Sequence, residues 1–287
     1  MISAAILLWL AGLITTLTRE QPSKHCDAPE VLTSPAAFVE CARAGTEKYR
    51  DRASAIADGY RRVGGDFPAM GEHWIRISSL FDGRFDAAKP EVLNYVSVDG
   101  KPRLLGVGYA VPLLGGETPP DGPGGKSAWH DHTRTIADET MLPHHHTAGA
   151  AQSGARLAMM HAWIWSPNPE GTFAADNWTL PFVRLGLDPN IDAPAAAAKA
   201  LSLASGGSGY FSASIGAVTG TSETPQVRAA FARAQDAVLT ILRDNTAPGL
   251  DHARVTRLAE VWREIWNAID SSLSAQERES LEHLKIR

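Results

Sequence analysis

Hydrophobic and polar positions follow two periods along the chain, helical first, then that of strands, then helical again. From Phe38 the residues Cys41, Ala42, Gly45, Tyr49, Ala53, Ile56, Tyr60 and Val63 recur at steps of three and four, which draws one apolar stripe along a helix. Ser34 offers a hydroxyl N-cap and Pro35 a first helical residue, while Gly64-Gly65 stops the pattern. The spacing therefore predicts a single helix of about eight turns at 3.6 residues each. A strand period follows. Leu93 to Val98 and Arg103 to Val111 flank Asp99-Gly100, a hairpin turn signal. Leu157 to Trp165 is a compact, aromatic-rich run closed by Ser166-Pro167-Asn168-Pro169 and reads as a central strand. Alternation sends Leu157, Met159, His161, Trp163 and Trp165 to one face and Ala158, Met160, Ala162 and Ile164 to the other.

Between these strands, Pro112 to Lys126 holds four prolines and five glycines, so it can bury little and is expected to run over the surface as a lid or long loop. Beyond Pro189 the period turns helical again. Asp192-Ala193-Pro194 opens an alanine-rich helix to about Ala204, Gly206 to Gly220 reads as a flexible crossing, and Thr224-Pro225 starts a helix through Arg243. Val255, Leu258, Val261, Trp262, Ile265, Trp266 and Ile269 mark a strongly amphipathic helix whose tryptophans read as core knobs, and Ser274 with Glu277 forms a capping box for a last short one. No internal repeat stands out. The pattern predicts an α+β fold, a small antiparallel sheet packed against a long N-terminal helix and a C-terminal helical unit. Its expected divisions are an N-terminal signal or anchor at 1–22, a helical segment at 23–66, a sheet-bearing histidine-rich core at 67–189 and the helical unit at 190–287.

Composition narrows the function. The chain has 287 residues, 44% apolar and 21% charged, which excludes disorder throughout. Its net charge of -5 offers no basic footprint for a phosphate backbone, so nucleic acid is not an expected partner. Ile2 to Leu17 is an apolar run followed at once by the polar stretch Arg19 to Lys24. At less than the roughly 20 residues of a membrane span it reads as a secretory signal, with an uncleaved anchor as the alternative. Cys26 and Cys41 are the only cysteines, and in an exported chain they are expected to form a disulfide. The expected location is secreted or periplasmic. Any membrane contact would run through the N-terminal segment alone, and the oligomeric state is not legible.

The candidate chemistry lies in the histidines, ten in all, with five between His130 and His146. His130-Asp131-His132 puts two imidazoles on one side of an extended segment, a way to offer two nitrogen ligands to a transition metal, or simply two loop histidines. His161 sits among Met159, Met160, Trp163 and Trp165, where a buried imidazole needs a partner, either a metal or a backbone carbonyl. His73 in Met70-Gly71-Glu72-His73-Trp74 has the same two readings, with Glu72 beside it as oxygen ligand or general base. Three successive imidazoles at His144-His145-His146 cannot all face one centre from a regular element, and the run reads as an exposed pH-responsive or metal-capturing surface. Serine hydrolase, phosphate-loop and dinucleotide chemistries find no matching motif: Gly206-Gly207-Ser208-Gly209 lacks the Lys-Ser/Thr pair, and Gly106-Val107-Gly108 reads as strand crowding or a turn.

Several of these pieces together resemble a group of secreted, functionally uncharacterised bacterial proteins. The carriers are Met70-Gly71 with His73-Trp74, Lys89-Pro90-Glu91-Val92-Leu93 with Tyr95, and Leu104 to Tyr109 with Pro112. His161-Ala162-Trp163-Ile164-Trp165, Asn168-Pro169-Glu170-Gly171-Thr172-Phe173 and Asn177-Trp178 complete the set. The group shows the succession G-x-H-Y/W, R-P-E-x-L-x-Y, V-E-Y-x-x-P, H-A-W-I-W and N-P-x-G-x-F, and the likeness covers about residues 68 to 180. It singles out His73 and His161 and implies no activity. Where the group has glutamate before tyrosine, this chain has Gly108.

The resulting expectation is an exported metal-binding protein, a mononuclear metalloenzyme that activates water or dioxygen on zinc, copper or iron. His73, His130, His132 and His161 are its expected ligands, and Glu72 and Asp131 its proton-moving or ligand-orienting groups. Trp74, Tyr109, Trp163 and Trp165 are expected to wall a pocket for a small-molecule substrate or ligand. The alternatives are a metal-free small-molecule binding protein with a Trp- and Met-lined pocket, and a non-catalytic metal scavenger or carrier.

Overall fold

Asp99 and Gly100 both take positive φ, 49° and 74°, the left-handed pair required by a two-residue hairpin turn. From that turn β3 (Val92–Val98) and β4 (Lys101–Leu114) run antiparallel. The computed structural model describes residues 25–82, 84–132, 155–219 and 224–283, with Asp131 and His132 described by their backbone. The apolar run at Ile2 to Leu17 and His144-His145-His146 lie outside the described residues. A second hairpin, β1 (Arg61–Phe67) and β2 (Gly71–Ile75), adds to β3, while β6 (Ala155–Ala162) adds to β4 and carries β5 (Trp129–His132) on its outer edge. The order is β1-β2-β3-β4-β6-β5, six strands, antiparallel at every pairing.

Alternation along the strands produces two buried faces. Leu93, Tyr95, Val107, Tyr109, Ala158, Met160 and Ala162 pack on one side with Phe38, Cys41, Ala42 and Tyr49 of the N-terminal helical segment. Ile75, Val92, Ala110 and Met159 lie on the other. The two faces expected of β6 are thus observed as far as Ala162, where the strand ends. Beyond it the chain turns: Trp163 joins Val96, Leu105 and Leu180, whereas Ile164 and Trp165 pack with the first face. β6 is an interior strand, one place from the edge.

The long N-terminal helix is not observed. Its stripe is divided among α1 (Pro29–Leu32), α2 (Pro35–Thr46), a 3-10 turn at Glu47–Arg50 and α3 (Arg52–Ala57). Asp51 adopts an extended backbone (φ -88°, ψ 110°) and its carboxylate accepts from Ala53 N, starting a new helix where the periodic pattern continues unbroken. Val63 instead pairs with His73 in β1, and Gly64-Gly65 fall where the register with β2 shifts between Val63 and Asp66, a bulge inside the strand and not a helix stop. Cys26 and Cys41 form a disulfide that ties the arm before α1 to α2, a constraint worth about 3 kcal/mol through the unfolded chain.

A single short turn of helix, α4 (Ile77–Leu80), follows β2. The C-terminal third is helical, as its periodicity implies. α5 (Leu180–Arg184), α6 (Ala195–Ser202), α7 (Ser208–Thr219), α8 (Pro225–Leu242), α9 (His252–Ile269) and α10 (Ala275–His283) share one core around Trp262, Phe211 and Phe231. The expected flexible crossing at 206–220 is instead largely α7: Phe211 and Ile215 bury themselves in that core, and this outweighs the cost of Gly209 and Gly216 in a helix. The Ser274–Glu277 capping box is present in both directions, at 2.6 and 3.2 Å. In the proline- and glycine-rich run, Pro112 to Leu114 continue β4, and residues 115–125 form the surface loop. Among the described residues no helix is long and apolar enough to cross a membrane.

Candidate functional site

Strand alternation and register bring chain-distant histidines to one face of the sheet. His73 on β2 lies opposite Asn94, and Asn94 lies opposite Gly106. His161 on β6 lies opposite Gly108, which faces Val92, and His130 on β5 lies opposite Met159. Residues directly opposite share a face, so the three imidazoles look the same way. All three are buried. The ring centres of His73 and His161 are 5.5 Å apart and those of His161 and His130 5.3 Å apart. Two imidazoles on one tetrahedral ion, bound at about 2.0–2.1 Å, have ring centres about 5 Å apart.

Two strands separate β2 from β6, so His73 and His161 must lean toward each other across β3 and β4. Glycine makes the room. A Cβ on Gly108 would stand 3.4 Å from His161 Cδ2 and 3.0 Å from Val92 Cβ, and one on Gly106 would stand 2.7 Å from the Trp163 ring. Gly106-Val107-Gly108 is crowded strand, as the sequence implies. Position 108 thus faces His161 directly.

His161 is held from behind by the segment that follows it. Its Nδ1 lies 2.7 Å from Ala175 O. A carbonyl only accepts, so Nδ1 carries the proton; of the two neutral tautomers this is the one whose lone pair is on Nε2, the form a metal ligand needs. Trp163 is pinned by the same segment, its backbone N donating to Thr172 O at 2.8 Å and its Nε1 to Ala174 O at 2.8 Å. The Trp163 ring lies 5.6 Å from His161 and completes the wall on that side. The segment is fixed in turn by Asn168 Nδ2 donating to Asp176 O and by Asn177, whose Nδ2 donates to Pro167 O and whose Oδ1 accepts from Thr179.

The other expected site residues are placed differently. Glu72 precedes His73 in the strand and therefore occupies the opposite face, where its carboxylate meets Arg62 at 3.0 Å, Arg52 at 3.7 Å and Trp74 Nε1 at 3.0 Å. Such a carboxylate is an ion-pair centre, remote from the imidazoles. Trp74 and Trp165 also belong to that face, with Arg52 over one ring and Arg43 and Arg50 over the other. Tyr109 is a core residue whose hydroxyl donates to Ala87 O at 2.6 Å. Of the four pocket residues, the structure brings only Trp163 to the histidines. Asp131 and His132 follow His130 in β5 opposite Ala158 and Leu157.

Two components of the site escaped sequence reading. One is the run of carbonyls from Thr172 to Ala175. A backbone oxygen leaves no residue-type signal in the sequence. The other is Asn94, buried between His73 and Gly106, whose Nδ2 donates to Met70 O at 3.1 Å. An asparagine inside an apolar strand is the signal that could have found it, since a buried amide must have partners.

Among the described residues, no group of three or more His, Cys, Asp and Glu side chains is arranged to hold a metal ion. The histidines form two neighbouring pairs that share His161. The chain matches no protein-family model, no curated protein and no solved structure.

Proposed function

We propose that this is an exported protein that binds a transition-metal ion, zinc, copper or iron, between His73 and His161, with His130 beside them. The single observation behind the reading is the approach of two buried imidazoles to 5.5 Å across two intervening strands, over glycines that leave room for them. Burying several imidazoles together is costly unless each nitrogen finds a donor or an acceptor, and an ion accepts lone pairs from two at once. The hydrogen bond from His161 Nδ1 to Ala175 O favours the tautomer that binds a metal through Nε2. Nitrogen ligation of this kind suits borderline divalent ions. The Cys26–Cys41 disulfide supports export, because such bonds persist in oxidising compartments. Activation of water or dioxygen at an open coordination position is the chemistry such an ion would supply. Glu72 has no part in it.

Elemental analysis of protein purified without a histidine tag tests the binding. The expected result is one ion per chain, lost in the His73→Ala, His161→Ala double variant. A wild-type chain that carries no ion, and takes none up from zinc, copper or iron solutions, contradicts the reading. Turnover or its absence in the loaded protein then separates an enzyme from a carrier.

A further inference from the structure

The proposed ion lacks an oxygen donor in the histidine pair, and the same face of the sheet carries one. Asn94 is 1% exposed. Its Oδ1 is fully buried, and no donor among the described residues reaches it. The assignment of oxygen and nitrogen in this amide is settled by Met70 O, 3.1 Å from Nδ2: exchanging the two atoms would set two acceptors against each other. The anchor also fixes the direction of the oxygen, away from the turn between β1 and β2. A buried acceptor left without a donor costs about 1–3 kcal/mol, so a native fold that keeps one has a use for it.

The register says what that use is. Asn94 is the ladder partner of His73 on one side and of Gly106 on the other. The path from the His73 ring to the His161 ring, one on β2 and one on β6, passes over Asn94 and the gap left by Gly106 and Gly108. We infer that Asn94 Oδ1 is the oxygen ligand of the ion held by His73 and His161, which makes the site a two-nitrogen, one-oxygen set. This rests on the metal-binding reading above and adds a residue to it. An amide oxygen is neutral and hard, so it adds no charge to the buried site and favours a divalent ion of borderline character over a soft, thiolate-seeking one such as Cu(I).

The test uses the full chain, stripped of metal and titrated with Zn(II) against a chromophoric chelator, and with Co(II) as a spectroscopic probe. Asn94→Leu preserves volume and removes the oxygen, and Asn94→Ala removes it with the least crowding should the leucine variant not fold. Each is expected to weaken Zn(II) binding by about tenfold or more and to move the Co(II) ligand-field bands, since an oxygen leaves the coordination shell. Unchanged affinity together with an unchanged Co(II) spectrum in a folded variant overturns the role of Asn94 and leaves the histidine site standing. A wild-type chain that binds neither ion overturns both.

Discussion

Replacing Glu91 with glutamine is expected to make the protein markedly more stable than wild type at pH 8 while leaving it nearly unchanged at pH 4.5. Glu91 stands just before β3, buried at 3% exposure, and its Oε2 accepts from Ala110 N at 3.0 Å. It extends the contact one step beyond the start of β3, where β4 continues past it. Loss of hydration pushes its carboxyl up from the ordinary 4.5 to about 8; the charge of Asp82 adds to this, and the Ala110 hydrogen bond and Arg76 oppose it. The folded protein therefore keeps this proton up to about pH 8, whereas the unfolded chain releases it near 4.5. Between those values the folded state binds more protons, so stability falls as pH rises. The contribution is fully present below 4.5 and lost by about 8, on the order of 4 kcal/mol across the window. Glutamine is neutral throughout and its oxygen still accepts from Ala110 N. Denaturant titrations at pH 5, 6, 7 and 8 check this: the wild-type curve should descend relative to the variant, and two parallel curves would contradict the burial argument.

The second large effect is expected at Gly106. A Gly106→Val substitution drives Cβ to 2.7 Å from the Trp163 ring, with Ala162 O at 3.2 Å. The backbone on both strands is fixed by the ladder, so the indole must move, and its Nε1 bond to Ala174 O goes with it. Overpacking of this kind costs about 1–3 kcal/mol. Because Trp163 and His161 share the carbonyl segment 172–175 and their rings touch, the imidazole shifts too, and Zn(II) affinity is expected to fall about tenfold or more. Gly249→Ala is the control, since a Cβ there meets nothing within 4 Å. Chemical denaturation and Zn(II) titration of both variants read the two effects. An unchanged zinc affinity in Gly106→Val would show that the Trp163 wall does not position His161.

What could be read from the sequence follows from the range of each interaction. The Asp99-Gly100 hairpin, the Thr224 cap, the α9 stripe and the capping box at Ser274 are all local, and each is found where its residues put it. Elements that depend on distant partners depart from their local signals. The residues of β1 continue a helical stripe, yet they pair with β2; the glycine-rich stretch before Thr219 folds as α7 because Phe211 meets Trp262. For the site, the meeting of His73 with His161 is expected from their residue types and is observed as ring proximity. Its environment was not legible. Alternation places Glu72, next to His73 in sequence, on the other face, and Trp165 leaves the face of His161 because β6 ends at Ala162. Asn94 and the Ala175 carbonyl become site components only once register and loop path are known.

X-ray absorption at the zinc edge of the chain, loaded with one equivalent of Zn(II), tests the shared ion most directly. The account predicts at least two imidazole nitrogens at about 2.0–2.1 Å, with their multiple-scattering signature lost in the His73→Ala, His161→Ala variant. An identical coordination shell in that variant would place the ion elsewhere, and failure of the wild-type chain to retain zinc would remove the site altogether.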